Sequence, residues 1–162
     1  MKTAVVIGAT GLVGSHLVDL LLQDNRFDKV KIFVRRTTGI TNSKLEEHII
    51  NFDDTDTWQN KVTGDVLFSA LGTTIRQAGS QPAQYKIDYT YQYNFAKTAT
   101  QNGVRTYILI SSAGARANAR LFYSRIKGEL EEAVRKLSFA HIHIIQPGIL
   151  TGPRSENRLG EK

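Results

Sequence analysis

Tyr123 and Lys127 stand four residues apart in the run Tyr123-Ser124-Arg125-Ile126-Lys127, a spacing that sets a phenol and an ammonium side by side on one helix face. A phenol ordinarily titrates near pH ~10, and a neighbouring cation favours the phenolate, which brings the hydroxyl closer to acid–base use near neutrality. Just upstream, Ser111 and Ser112 follow an apolar run, Tyr107 to Ile110, that reads as a strand. A serine hydroxyl at that strand end could hydrogen-bond a carbonyl oxygen while Tyr123 donates a proton to it. Ser112, Tyr123 and Lys127 are therefore the candidate catalytic residues, suited to a carbonyl/alcohol interconversion with the electron pair supplied by a cofactor. Tyr-x-x-x-Lys alone is common by chance. Its place after a Ser-Ser strand end and downstream of a glycine loop gives it weight.

That loop is Gly8-Ala9-Thr10-Gly11-Leu12-Val13-Gly14, between a β-branched apolar run, Thr3 to Ile7, and a helical pattern. Gly8 permits a tight turn out of the strand, Gly11 lets the backbone approach a pyrophosphate, and Gly14 allows the helix to pack closely on the sheet. The helix N-terminus then offers free N–H groups and the positive end of its dipole to an anion. A glycine triplet alone is a weak signal, but strand–loop–helix is the context a dinucleotide site requires. Gly8, Thr10, Gly11, Leu12 and Val13 are the expected phosphate-side contacts. At the end of the second strand a NAD-type site carries a carboxylate for the ribose hydroxyls, whereas this chain has Arg35 and Arg36. Arginine can bind a 2′-phosphate bidentately, so NADP(H) is the expected cofactor, with NAD(H) possible. A pair of solvated surface arginines is the alternative.

The elements that must position these groups follow from periodicity. Strands are expected at Thr3–Ile7, Val30–Val34, His48–Phe52, Asp65–Ala70, Tyr107–Ile110 and Ile142–Ile145. The first helix, from Gly11, carries a stripe of Val13, Leu17, Leu20 and Leu21 and closes at Asp24-Asn25. Ser80 and Pro82 start a second helix, whose stripe of Tyr85, Tyr89, Tyr93, Ala96 and Ala99 reads as core packing and stops at Asn102-Gly103. A third helix runs from about Ala119 to Leu137. Strands alternating with helices at this spacing give an α/β fold: a Rossmann-type, doubly wound parallel sheet with helices on both faces, in one domain over residues 1–162.

Composition narrows the function classes. The 162 residues are 41% hydrophobic and 22% charged, close to an ordinary soluble domain. No apolar run approaches a membrane span, and Gly8 breaks the apolar start after four residues, so it reads as a strand and not a signal peptide. With no cysteine there is no thiolate nucleophile and no Cys-type zinc site, and a cytoplasmic location is the default expectation. The net charge of +6 is scattered; only Lys29/Lys31/Arg35/Arg36 and Arg116/Arg120/Arg125/Lys127 are locally dense. Phosphate-bearing small ligands suit those groups as well as a polynucleotide would, and no basic–aromatic interleaving speaks for nucleic acid. His141 and His143 share a strand face without an obvious third metal ligand, and Asp53-Asp54-Asp56 lacks the glycine and distal glutamate of a calcium loop. His16 falls on an exposed helix face, and Trp58 reads as packing.

Gly8 to Gly14, Ser112, Tyr123 and Lys127 together resemble the short-chain dehydrogenase/reductase superfamily in its atypical, extended-like branch. Within that branch the chain is similar to the Tat-interacting-protein-like oxidoreductases and related NAD(P)H-binding proteins. Supporting stretches are Phe33-Val34-Arg35-Arg36, Leu71-Gly72-Thr73-Thr74, Leu109-Ile110-Ser111-Ser112 and Gln146-Pro147-Gly148-Ile149-Leu150. The resemblance implies that Asp53 approaches the adenine, Ala70, Leu71 and Gly72 line the adenine-ribose side, and Lys127 holds the nicotinamide ribose. It also implies that Pro147 and Gly148 pass beside the nicotinamide, and that Asp88 falls where many members have an asparagine supporting the lysine through water. Members of the group continue beyond the sixth strand with segments that close the substrate pocket, so the carboxyl end here, Leu159-Gly160-Glu161-Lys162, is short by comparison.

Two function classes follow. One is an NADP(H)-dependent oxidoreductase acting on a small carbonyl or alcohol. The other is a non-catalytic, redox-sensing protein that binds the same dinucleotide and a protein partner, a kind the branch also contains. The superfamily likeness implies a homodimer. Nucleic acid and membrane are not expected partners.

Overall fold

The computed structural model describes residues 1–152 of the chain. Alternation along the first strand explains its place at the centre of the sheet. In β1 (Lys2–Ile7), Val5 and Ile7 face one side while Ala4 and Val6 face the other, and all four are fully buried. α1 (Leu12–Gln23) follows, then β2 (Phe27–Val34), β3 (Leu45–Ile49), a short α2 (Thr55–Trp58) and β4 (Val66–Ser69). After α3 (Ile75–Ala78), one long helical stretch comprises α4 (Gln81–Tyr85), a π-helical segment (Lys86–Tyr91) and α5 (Gln92–Gln101). β5 (Thr106–Ile110), α6 (Phe122–Val134) and β6 (His141–Ile145) complete it. The six strands lie in the order β3-β2-β1-β4-β5-β6 with every pairing parallel. Strand order therefore reverses between β1 and β4, the switch point at which open α/β sheets bind ligands. This is the doubly wound fold expected from the sequence.

Each face has its own core. α1 contributes Val18 and Leu21 to one, against Ala4, Val6, Val30 and Ile32. α5 and α6 contribute Phe95, Ala96, Ala99, Leu130 and Val134 to the other, against Val5, Ile7, Phe33 and Leu67. Trp58 packs there as expected, stacked on Phe95 at 5.0 Å.

Four expectations need correction. The third strand is Leu45–Ile49 and not His48–Phe52. As an edge strand it is half-covered and tolerates Glu46, Glu47 and His48, while the more apolar Ile50 and Phe52 leave the sheet and drop into the core. The buried face of α1 is Gly14, Val18 and Leu21, with Leu20 67% exposed, because the closest approach to the sheet is at Gly14. α6 begins at Phe122 and not near Ala119, since the Ser112–Leu121 loop crosses over Gly128, where a Cβ would meet Arg116 at 2.1 Å. In the long helix, Ala96 and Ala99 are buried as expected, but Tyr85, Tyr89 and Tyr93 are only half-buried and stack on one another, and the buried side chains of its first half are Gln84, Asp88 and Gln92.

Glycine tolerance separates the fold from the site. A Cβ on Gly14 would stand 1.8 Å from the Gly8 carbonyl oxygen, whereas one on Gly11 would meet only Gly8 O at 3.5 Å and Ala70 O at 4.0 Å. Gly14→Ala is expected to destabilise the fold by about 3 kcal/mol, the upper end of overpacking penalties. Gly11→Ala should lie within about 0.5 kcal/mol of the parent, as an exposed substitution does. Denaturant unfolding of the two variants checks the contrast; equal losses would contradict it.

Candidate functional site

The carboxyl ends of β2, β1, β4 and β5 open side by side onto one cleft of about 660 Å³. Arg35 and Arg36 line it beyond β2; Gly8, Thr10, Gly11, Leu12 and Val13 line it beyond β1. Ala70, Leu71, Gly72 and Thr73 follow from β4, Ile110 and Ser111 from β5, and Tyr123 and Lys127 from α6. From β2 to β5 is three strand spacings, roughly 14 Å. That reach suits an extended dinucleotide better than a single nucleotide.

The cleft fits a phosphate-bearing ligand at its centre. α1 starts on Gly11 with no side-chain cap and no acidic residue in its first turn, so the first N–H groups remain available to an anion. Gly8 takes φ +80°, and a Cβ there would stand 2.3 Å from the Ala70 carbonyl carbon, so the chain can turn here only as glycine. Gly11 is different. No protein atom requires it to lack a side chain, and the space left open faces the cleft.

At the α6 end, Lys127 is 3% exposed and its Nζ lies 5.6 Å from the Tyr123 ring centroid, while Tyr123 is 38% exposed at the mouth. The i,i+4 neighbours predicted from the sequence are neighbours here. Lys127 Nζ and Asp88 Oδ1 each lie 3.6 Å from where a Cβ on Gly72 would stand, so both reach the β4 loop at this glycine. Ser111 is buried and donates to Glu131 Oε1 at 2.6 Å, an oxygen that also accepts from Gln146 Nε2 at 2.9 Å. Ser112 is half-buried; its hydroxyl donates to Ala113 O at 3.4 Å, and it does not line the cleft. Pro147 and Gly148 do not line it either, although Ala113 N–H donates to Pro147 O at 2.9 Å and so keeps Pro147 beside the serine turn.

The opposite end is built by residues that sequence reading missed. Phe52, Ile87 and Tyr91 line it, with Tyr91 stacked on Phe52 at 5.2 Å. Ser15, Thr73, Gln77 and Leu150 were missed as well. Apart from Ile87 and Tyr91, which share the π-helical segment, they come from separate parts of the chain, and only Phe52 left a sequence signal, as the apolar residue closing the expected strand His48–Phe52. Asp53 stands outside the lining. Its carboxylate is engaged by Lys86 Nζ at 2.7 Å and accepts from Tyr91 Oη at 3.0 Å. The Lys86 ammonium, aided by Tyr91, holds the Asp53 carboxyl below the usual carboxylate range. With a folded-state pKa below the unfolded one, this contact contributes above the unfolded pKa and fades as pH falls through the folded one. Both side chains are half-exposed, so solvent screens the pair. Lys86→Met should move the Asp53 titration upward toward the ordinary carboxylate value, as read by carbon NMR of the side-chain carboxyl against pH; an unmoved midpoint would assign the shift to another group.

Known proteins bear on this cleft. A family profile described as NAD(P)H-binding matches residues 8–161. "Protein fmp52, mitochondrial" of Emericella nidulans is 35% identical over 168 residues, covering 99% of this chain and 72% of that protein. The FMP52 protein of Candida albicans is 38% identical, covering 94% of this chain and 69% of that one. Among solved structures, the Bordetella bronchiseptica enzyme WbmG in complex with NAD superposes with a TM-score of 0.76 at 15% identity, over 95% of this chain and 55% of that one. A short-chain dehydrogenase/reductase superfamily protein from Agrobacterium tumefaciens with bound NAD gives 0.72 at 20% identity, over 89% and 48%. The chain thus spans about seven-tenths of its curated relatives and half of these structural ones, whose likeness is one of fold. The expected cytoplasmic location is overturned, since the relatives are named as mitochondrial proteins. The chain belongs to the NAD(P)H-binding family, as a relative of the FMP52 proteins with the fold of the extended short-chain dehydrogenases/reductases.

Proposed function

We propose that the chain is an NADP(H)-dependent oxidoreductase acting on a carbonyl/alcohol pair, in the mitochondrial setting its relatives' names suggest, with residues 1–162 forming one NAD(P)-binding Rossmann domain. One observation carries this reading: a single cleft has Arg35 and Arg36 at one end and Tyr123 with Lys127 at the other, joined by an uncapped helix start. Arg35 and Arg36 would hold a 2′-phosphate, and the α1 start with Thr10, Gly11, Leu12 and Val13 would hold the pyrophosphate. Ala70, Leu71 and Gly72 would line the adenine-ribose side, and Lys127 would hold the nicotinamide ribose hydroxyls. Pro147 and Gly148 would pass beside the nicotinamide and Asp53 near the adenine, both from just outside the present lining. Bound NADPH supplies the hydride.

Tyr123 is the proton donor in this scheme. Exposed at the mouth with the Lys127 ammonium across its ring face, it would hand its hydroxyl proton to the carbonyl oxygen as negative charge develops there. Lys127 would stabilise the phenolate left behind. Ser112 would donate a hydrogen bond to the same carbonyl, which requires its hydroxyl to turn away from Ala113 O. That orientation favours a second reading, in which the chain binds the dinucleotide as a redox sensor for a protein partner and turns nothing over.

Two variants test these readings. Arg35→Ala should weaken NADPH by about 1.5–3 kcal/mol while sparing NADH, as calorimetry would measure. Equal losses for both, or a wild-type preference for NADH, would make the arginine structural. Tyr123→Phe should lower kcat on a carbonyl substrate by on the order of two to four decades while leaving cofactor affinity unchanged. A wild type without substrate-dependent NADPH oxidation would favour the sensor, and turnover undiminished by Tyr123→Phe would reject the proton donor.

A further inference from the structure

Three polar side chains, Gln84, Asp88 and Gln92, are buried to 4%, 0% and 0% exposure at steps of four along the α4–α5 stretch. In an uninterrupted α-helix each such step drifts by about 40°, so the three would fan over about 80° of its surface. The π-helical segment Lys86–Tyr91 has a wider turn that takes back part of that rotation. As a result all three reach the same short loop. Gln92 Nε2 donates to Leu71 O at 2.9 Å, and its Oε1 accepts from Ser69 Oγ at 2.7 Å. Asp88 Oδ1 accepts from the Thr73 N–H at 2.8 Å, and Gln84 Nε2 donates to Thr73 O at 3.3 Å. The backbone of Leu71 and Thr73 is therefore tied by side chains of a neighbouring helix.

Burying three polar side chains is a costly way to cover a sheet; apolar residues of the same size would do it without desolvating amides and a carboxylate. What the arrangement supplies is a fixed loop, and Gly72 at its centre lies against Lys127 Nζ. Gln84, Asp88 and Gln92 are not the groups that would contact a dinucleotide. We propose that they are positioning residues that set the Leu71–Thr73 loop against Lys127 and so hold that ammonium for the nicotinamide-ribose half of the cofactor, an inference that rests on the dinucleotide reading above.

The experiment compares a whole cofactor with half of one. NADPH and adenosine 2′,5′-bisphosphate, which lacks the nicotinamide half, are titrated calorimetrically into wild type, Gln92→Met and Gln84→Met, with circular dichroism confirming the fold. Gln92→Met should raise the NADPH Kd about tenfold, the scale of a lost hydrogen bond that leaves a buried carbonyl without its donor. Its Kd for adenosine 2′,5′-bisphosphate should rise far less, since that ligand does not reach Lys127. A parallel loss for both ligands would make the three residues general scaffold, and no loss for either would show that the loop holds itself; each result overturns the proposal. Should Gln92→Met not fold, Gln84→Met, with a longer and weaker bond to the loop, decides by the same comparison with a smaller loss. A wild type that binds neither ligand overturns the dinucleotide reading first, and this inference with it.

Discussion

Where β1 ends, three pieces of backbone meet at distances that admit no side chain. A Cβ on Gly8 would stand 2.3 Å from the Ala70 carbonyl carbon, and one on Gly14 1.8 Å from the carbonyl oxygen of Gly8. The β1–α1 turn, the first turn of α1 and the exit of β4 are thereby drawn together at the point where the strand order reverses. The rest of the cleft is arranged around that junction. The start of α1 faces the cleft because Gly8 turns the chain there, and the β4 loop forms the adjoining wall because nothing on Gly8 holds it off.

The α6 end of the cleft depends on buried polar groups. Glu131, 6% exposed, accepts from Ser111 of the β5 end and from Gln146 just past β6, so one carboxylate of α6 ties together the two strand ends that flank the candidate serine. A buried carboxylate is tolerable only with such donors. Lys127, one turn earlier on the same helix, is buried beside the loop that Gln84, Asp88 and Gln92 hold. Ser111 is thus held in the scaffold by Glu131, whereas the Ser112 hydroxyl donates to Ala113 O.

Family membership and site geometry bear on different parts of the cleft. NAD(P)H binding is the shared property of the family, whose profile begins at Gly8, in the glycine loop that lines the centre of the cleft. Toward its two ends the cleft is bounded by the arginines beyond β2, the Phe52–Tyr91 stack with Lys86 and Asp53 at its rim, and the polar face of the long helix.

The glycine loop, the six apolar runs and the Tyr–Lys spacing were legible in the sequence because each is local: a turn, a period or an i,i+4 step is complete within a few residues. Those features sufficed for the parallel α/β fold and for the order of groups along the sheet edge. The edge strand was misread by three residues because hydropathy favours Ile50 and Phe52, whereas strand identity at an edge is decided by backbone pairing to β2. The tyrosines of the long helix were taken for its buried face because aromatic residues at helical spacing usually are. Only the tertiary structure, with its π turn and a β4 loop needing donors and an acceptor, could make glutamine and aspartate the inward residues. The same holds for Asp53: the sequence supplied the carboxylate, but its direction is set by Lys86 and Tyr91, contacts that exist only once distant segments meet.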